Sequence, residues 1–257
     1  MKSIFRFFLN LFPRPFLIRL SYLLRPIFAF LLRGNQFVDP IDEKGYRAFL
    51  PYGYGKTREN VLAPGTLSLE RHRLLWIFLK EKTSFFDGNK NFKVLHFAPE
   101  QAFYNRFKKF KHWNYTTTDL NSPLADVKAD ICDLPFEDNA YDLILCNHVL
   151  EHIPDDQKAM QELFRILKHG GMGIFQIPQD LSRAVTFEDN SITNPKERAA
   201  IFGQYDHVRI YGYDFFEQLR NIGFRVEEVD LTIAMTDADI KKFGLAKGEI
   251  IPVCYKD

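Results

Sequence analysis

Residues Tyr141–Pro178, YDLILCNHVLEHIPDDQKAMQELFRILKHGGMGIFQIP, decide the fold. Leu143-Ile144-Leu145-Cys146 is a short apolar run, the pattern of a strand buried on both faces. A polar turn, Asn147-His148, follows. Met160, Leu163, Phe164 and Leu167 then recur at i, i+3, i+4 and i+7, one apolar stripe at the helical period. Asp155 or Asp156 is placed to cap that helix, and Gly170-Gly171 to stop it in a left-handed conformation. Gly173 to Pro178 reads as a second buried strand. Strand, helix and strand with short joints form a βαβ unit, so the sheet is parallel there. Ligands of such sheets sit beyond the carboxyl ends of the strands, which makes Asn147 and His148 candidates by position alone.

A chain of 257 residues has room for one α/β domain and a smaller appendage. Its hydrophobic share of 46% and charged share of 26% are those of a globular protein, not a disordered one. The net charge of +1 conceals an asymmetry, because residues 1–38 hold Lys2, Arg6, Arg14, Arg19, Arg25 and Arg33 and no acid. The remainder is therefore acidic, and no nucleic-acid partner is expected. Cys132, Cys146 and Cys254 are scattered, which predicts a reduced, cytoplasmic protein with neither disulfides nor a cysteine metal site.

Residues 1–38 are rich in Phe and Leu with arginines spaced through them, and read as a basic amphipathic helical segment. Their uncharged runs fall well short of the roughly 20 apolar residues of a membrane span. Pro13, Pro15 and Pro26 divide the segment into short helices. Two readings stand: contact with the inner membrane surface, rings in the headgroups and arginines on anionic lipid, or a helical cover or partner-binding arm.

Residues 39–88 read as a small module plus a linking helix. Gly45 to Gly55 suits irregular or hairpin structure, and Ser68 is placed to cap the helix LERHRLLWIFLKEK. Asp39-Pro40-Ile41-Asp42 and Ala63-Pro64-Gly65-Thr66 share the spacing of a zinc ribbon's two knuckles with all four cysteines replaced. Ala63 offers no donor, so the module is expected to be metal-free. Glu70-Arg71-His72-Arg73 reads as a solvated first helical turn or as an anion-binding cluster.

Phe92 to Ala98 is the first strand of the main domain, and Pro99-Glu100 turns it into a helix with Phe103, Phe107 and Phe110 on one face. Tyr115 to Thr118 is a second strand, closed by Asp119. An acid about 20 residues past the first turn is the expected acceptor for ribose hydroxyls. A third strand near Asp126 to Ala129 ends at Asp130-Ile131.

The series VLHFAPE, TTTDL, ADICDLPF, YDLILCNHVLEHI and LKHGGMGIFQIP resembles the class I S-adenosylmethionine-dependent methyltransferases, of the type 11-like kind, over residues 89–257. A narrower subgroup with an HFAPE-type first loop, a preceding ribbon and an SLERHR helix start is also similar. The resemblance implies a Rossmann-like α/β fold: a seven-stranded, mostly parallel sheet flanked by helices, the last strand antiparallel, behind a small N-terminal appendage. It implies S-adenosyl-L-methionine as cofactor. Asp119 with Leu120 would bind the ribose, Asp130 and Ile131 the adenine edge, and Asn147 and His148 would lie beside the methionine end. The first loop departs from the pattern. His96 stands where an acid is usual, Ala98 and Glu100 where glycines are usual, with Pro99 between them. Glu100 is strained if that position needs a positive φ.

His148-Val149-Leu150-Glu151-His152 also matches H-x-x-E-H, a zinc-protease pattern. That chemistry needs both histidines on one helix face, yet Ile153-Pro154 leaves barely a turn. His152 is read as structural, and no metal is expected. The polar segment from Gln179 to Gly212 lies beyond a ligand-side strand end, with one short helix opened by Asn194, Pro195 and Glu197. At its close His207, Arg209 and Tyr211 alternate onto one face. They are the candidate catalytic residues: Arg209 to hold an anionic group, His207 to take a proton, Tyr211 beside them. A strand-like lid, with His207 bonded to Asp206 and Arg209 in a salt bridge, is the alternative. Asp214-x-x-Glu217 reads as a variant capping box, and Arg225 to Leu231 and Ile250 to Tyr255 as the last strands. The expected activity is O- or N-methylation of a small-molecule or lipid-linked acceptor. A methyltransferase fold kept for binding alone is the second expectation.

Overall fold

The computed structural model describes residues 24–53 and 57–257. Expectations for residues 1–23 lie outside the described residues. The chain divides into two compact units: one runs through Ile77 and takes in Met235–Lys247, the other comprises Phe78–Ala234 and Gly248–Asp257. No helix among the described residues is long and apolar enough to cross a membrane.

In the first unit, residues 24–31 are helical, but the chain then becomes strand β1 (Arg33–Asp39), so the helical segment stops short of residue 38. β1 pairs antiparallel with β2 (Lys44–Tyr46), and β3 (Leu50–Tyr52) with β4 (Arg58–Leu62). The two knuckle-like stretches meet through hydrogen bonds. The buried Asp39 carboxylate accepts from Ile41 N at 3.0 Å, from Ser68 Oγ at 3.2 Å and, very closely, from Thr66 Oγ1. Tyr46 OH donates to Asp42 at 3.0 Å. Helix α1 (Glu70–Lys82) does not open on a solvated turn. Ser68 gives its hydroxyl to Asp39 instead of capping, and His72 Nδ1 accepts from Leu69 N at 2.9 Å. Arg73 is fully buried and donates to the carbonyls of Val61, Ser68, Phe243 and Gly244, which ties the segment around 243 into this unit. Neither Arg73 nor His72 is available to an outside anion.

The second unit is built on seven strands. β5 (Phe92–Phe97) leads into helix α2 (Gln101–Phe107), then come β6 (Trp113–Asp119), β7 (Val127–Lys128) and β8 (Tyr141–Leu145). Helix α3 (Asp156–Ile166) precedes β9 (Leu167–Ile174). Short strands β10 (Phe187–Glu188) and β11 (Arg209–Ile210) flank helix α4 (Pro195–Ile201), and helix α5 (Phe215–Ile222) leads to β12 (Arg225–Val229). Helix α6 (Asp237–Phe243) belongs to the first unit, and β13 (Ile251–Tyr255) closes the sheet. The strand order is β12-β13-β9-β8-β5-β6-β7, all parallel except β13, which runs antiparallel between β9 and β12. This is the doubly wound, Rossmann-like architecture expected. Alternate residues of β5 and β8 face opposite layers: Leu95, Phe97 and Ile144 join the core with α3 and α5, while His96 packs on Phe103 and Phe107 of α2.

Two local expectations change. α3 ends at Ile166, before the glycines, and Gly170 uses its positive φ inside an irregular stretch of β9. The helix yields early because the Ile166 carbonyl accepts from Ala140 N, drawing the chain into the sheet. Asp214 makes no cap bond; its carboxylate accepts from both Thr186 N and Oγ1, at 2.8 and 2.7 Å, pinning the loop after β9. Asp155 caps α3 and Asn194 caps α4 as expected.

Candidate functional site

Because β5, β6, β7 and β8 are parallel neighbours, their carboxyl ends share one edge of the sheet. Chain order reverses between β5 and β8, the switch point at which such sheets bind ligands. Ala98 leaves β5 with φ +45, so the left-handed turn is made by an alanine. Glu100 lies at φ −75 and is not strained, contrary to the expectation for that position. Its carboxylate reaches across the switch point: Asn147 Nδ2, at the end of β8, donates to Glu100 Oε2 at 3.2 Å. His96 Nε2 lies 3.7 Å from the same oxygen and is buried without a hydrogen-bond partner among the described residues, while its Nδ1 meets Tyr115 OH at 2.7 Å. His96 occupies the strand position where the resemblance expects an acid, and the nearby carboxylate belongs to Glu100.

Asp119 closes β6 with Oδ1 accepting from Asn121 N and Ser122 N at 2.7 and 2.6 Å. This bonding fixes the carboxylate through Oδ1. Leu120 beside it is exposed. One strand further, Asp130 is exposed with Oδ1 on Cys132 N, and Ile131 is buried. Asn147 is buried, its Oδ1 accepting from Gln176 N. His148 follows with φ +54, a second non-glycine residue in the left-handed region. Pro99 is buried beneath the first loop. A cleft lined by Phe85, Phe92, Asp142, Met172 and Tyr255 lies at the opposite, amino ends of β5 and β8, away from this chemistry.

The loop after β9 folds back as the pair β10–β11. Alternation does place His207, Arg209 and Tyr211 on one face, but that face is turned inward. Arg209 donates to the carbonyls of Leu150, Ile153 and Pro154 and to Glu188, and pairs with Asp156 at 3.3 Å. Tyr211 OH donates to Asp156 at 2.6 Å. Burial pushes the Asp156 carboxyl up, against the pull of Tyr211 and Arg209. Both side chains are fully committed and buried, so the expectation that Arg209 and Tyr211 touch an acceptor is corrected: they fasten the loop to the turn before α3. His207 is also buried, which lowers its pKa, and its Nδ1 faces the Phe202 carbonyl, not Asp206.

What sequence alone did not bring together is His207 and the turn after β8. A single 3-10 turn, Leu150–His152, sets Glu151 inward and fully buried. One ligand-type atom each from Glu151, His152 and His207 lies within 4.8 Å of the others. The His152 and His207 rings sit edge to face, centroids 4.7 Å apart. Their meeting depends on the β10–β11 pairing, for which only the alternation at 206–211 was a signal.

The fold is a Rossmann-like α/β domain whose switch point lies between β5 and β8. Residues 86–175 match the family model described as a methyltransferase domain. The chain is 42% identical over 93 residues to an uncharacterised protein of Methanocaldococcus jannaschii, covering 34% of this chain and 40% of that one. It is 30% identical over 119 residues to a sterol 24-C-methyltransferase of Schizosaccharomyces pombe, covering 44% and 30%. The chain thus spans less than half the length of these curated relatives. A solved S-adenosylmethionine-dependent methyltransferase of Archaeoglobus fulgidus is similar at 14% identity and a TM-score of 0.46, over 71% of this chain and 93% of that one; at that level it carries no argument about mechanism.

Proposed function

We propose that the chain transfers the methyl group of S-adenosylmethionine to an oxygen or nitrogen of a small-molecule or lipid-linked acceptor. The observation that carries this reading is the Asn147–Glu100 bond across the switch point, with Asp119 and Asp130 next in line on the same sheet edge. The residues present fit the cofactor. Glu100 offers a carboxylate for an ammonium group, held by Asn147 and backed by the unpartnered Nε2 of His96. Asp119 offers a fixed carboxylate oxygen for the ribose hydroxyls, beside the exposed face of Leu120. Asp130 and Ile131 serve the adenine edge, and Ala98, Pro99 and His148 shape the backbone on either side.

The cofactor brings an already activated sulfonium methyl, so the chain has mainly to bind, align and exclude water. Arg209 and Tyr211 are positioning residues that hold the covering loop in place. Leu181, Val185, Phe187, Ile201 and Tyr205 on that loop are exposed, which supports an acceptor with an apolar body. Ile27, Phe28, Phe30 and Leu31 are exposed on the helix of residues 24–31, which supports contact of that segment with a membrane surface. We also read the first unit as a former zinc ribbon in which hydrogen bonds from Thr66, Ser68 and Tyr46 replace the metal.

Calorimetric titration with S-adenosylhomocysteine tests the central reading. Binding is expected, weakened at least tenfold in Asp119→Ala. A folded protein that releases no heat would instead be a methyltransferase fold without the reaction.

A further inference from the structure

The turn after β8 and the loop that covers it hold a second set of chemical groups, reached from the crevice through His148. Glu151 is fully buried, and among the described residues no donor meets its carboxylate in good hydrogen-bond geometry; the contact from His148 Nδ1 is a loose 3.3 Å. An ionised carboxylate withdrawn from water needs compensation. Three histidines surround it. His148 Nδ1 lies 3.3 Å from Oε1 and His152 Nε2 lies 4.0 Å from it, with His207 completing the cluster.

The imidazoles are oriented from behind. His152 Nδ1 lies 3.3 Å from the Asp206 carbonyl, and His207 Nδ1 lies 3.1 Å from the Phe202 carbonyl. A carbonyl can only accept, so each Nδ1 carries the proton and each neutral ring keeps the lone pair on Nε2. A backbone carbonyl fixing the distal nitrogen is the arrangement that orients metal-bound histidines. The Nε2 of His207 is met at 2.9 Å by the Gln204 side-chain amide, a neutral partner that an ion displaces without leaving a charge behind.

We propose that Glu151, His152 and His207 form a binding site for one divalent transition-metal ion of the zinc class. Two imidazoles and one carboxylate are donors that suit such ions and not magnesium or calcium, which favour all-oxygen shells. Zinc holds these ligands at about 2.0–2.2 Å, so the cluster closes by roughly 1 Å around it, a movement open to the partly exposed His152. Three protein ligands leave a position for an oxygen donor, water or an acceptor hydroxyl. His148 stays beside the carboxylate as its charged or hydrogen-bonding partner. The H-x-x-E-H stretch thus contributes Glu151 and His152 in a geometry unlike that of a protease helix, and His207 from the covering loop replaces the first histidine. The expectation of no metal is set aside. The binding of the ion does not depend on the methyl-transfer reading.

The test uses the full chain, stripped with a chelator and titrated with Zn²⁺ by calorimetry and with Co²⁺ by visible absorption. One ion per chain is expected, with the intense visible bands of four- or five-coordinate cobalt and no comparable binding of Mg²⁺. His152→Ala and Glu151→Gln are expected to weaken binding at least tenfold, whereas the remote His169→Ala leaves it unchanged. His207→Ala behaves as His152→Ala if it folds; because His207 is buried, the partly exposed His152 decides the matter if it does not. The proposal is overturned if the wild-type chain takes up no stoichiometric Zn²⁺, or if His152→Ala and Glu151→Gln bind it as tightly as wild type.

Discussion

Asp39 in the first unit and Glu151 in the second are both withdrawn from solvent among polar side chains. Around Asp39 the donors come from within the chain: two hydroxyls and a backbone amide, with Ser68 N in turn bonded to Thr66. Around Glu151 there are imidazoles, and among the described residues no donor in good hydrogen-bond geometry beyond the loose 3.3 Å contact of His148 Nδ1. Equal burial with unequal satisfaction separates two roles. A closed network holds the fold together, whereas an open one is arranged around something the chain does not itself provide.

Substitution tests that contrast most severely at Asp39. Asp39→Ala strands Thr66 and Ser68 in the interior and is expected to cost about 3 kcal/mol, read from urea unfolding, with no recovery on adding metal. Glu151→Gln in metal-free protein keeps the shape and gives up only the attraction to His148 and His152, so less than about 1 kcal/mol is expected. Equal losses from the two variants would break the comparison. Next comes Gly65→Ala, whose new methyl would collide with Tyr46 OH and the Asp42 carboxylate; about 1–3 kcal/mol is expected.

Acid titration sharpens the contrast by sign. Burial raises the Asp39 carboxyl above its ordinary 3.8, against the hydrogen bonds from Thr66 and Ile41. The folded state therefore takes that proton more readily than the unfolded one, and the group's contribution to stability declines as pH rises from 3.8 through the folded value. Glu151 is displaced downward, so its contribution is present above 4.5 and lost as pH falls through the folded value. Unfolding curves of Asp39→Asn and Glu151→Gln, each subtracted from wild type, are expected to slope in opposite directions. The smallest effect is at the nucleotide rim. Ala98→Gly relieves a left-handed alanine, with a gain or loss below about 1 kcal/mol as strain relief and added unfolded-state freedom oppose each other.

Much of the second unit was legible because burial writes itself into residue order. Leu143 to Cys146 had to be a strand covered on both faces, and Met160 and Leu163 had to line a helix; both are fully buried in those elements. The placement of Asp119, Asp130 and Asn147 followed from the parallel ladder, since each stands at or just past the end of a strand whose direction was implied. What could not be read was direction across a loop. Alternation placed His207, Arg209 and Tyr211 together, but a period of two does not say whether the shared face looks out or in. The pairing of Glu188 with Arg209 settles that, and it joins residues far apart in the chain. Gly170-Gly171 misled for a related reason: a glycine pair after a helical stripe stops a helix or bends a strand equally well, and the Ala140–Ile166 bond decided between them.

Ala98 and His148 stand at the carboxyl ends of neighbouring strands, and both hold left-handed backbone without glycine's freedom. Each conformation costs on the order of 1–2 kcal/mol, drawn from the packing of β5 and β8. The bend on either side of the crevice is therefore made during folding, not when a visitor arrives. A ligand that binds here is expected to find the bend already made, with an on-rate governed by diffusion and orientation, not by a slow backbone step.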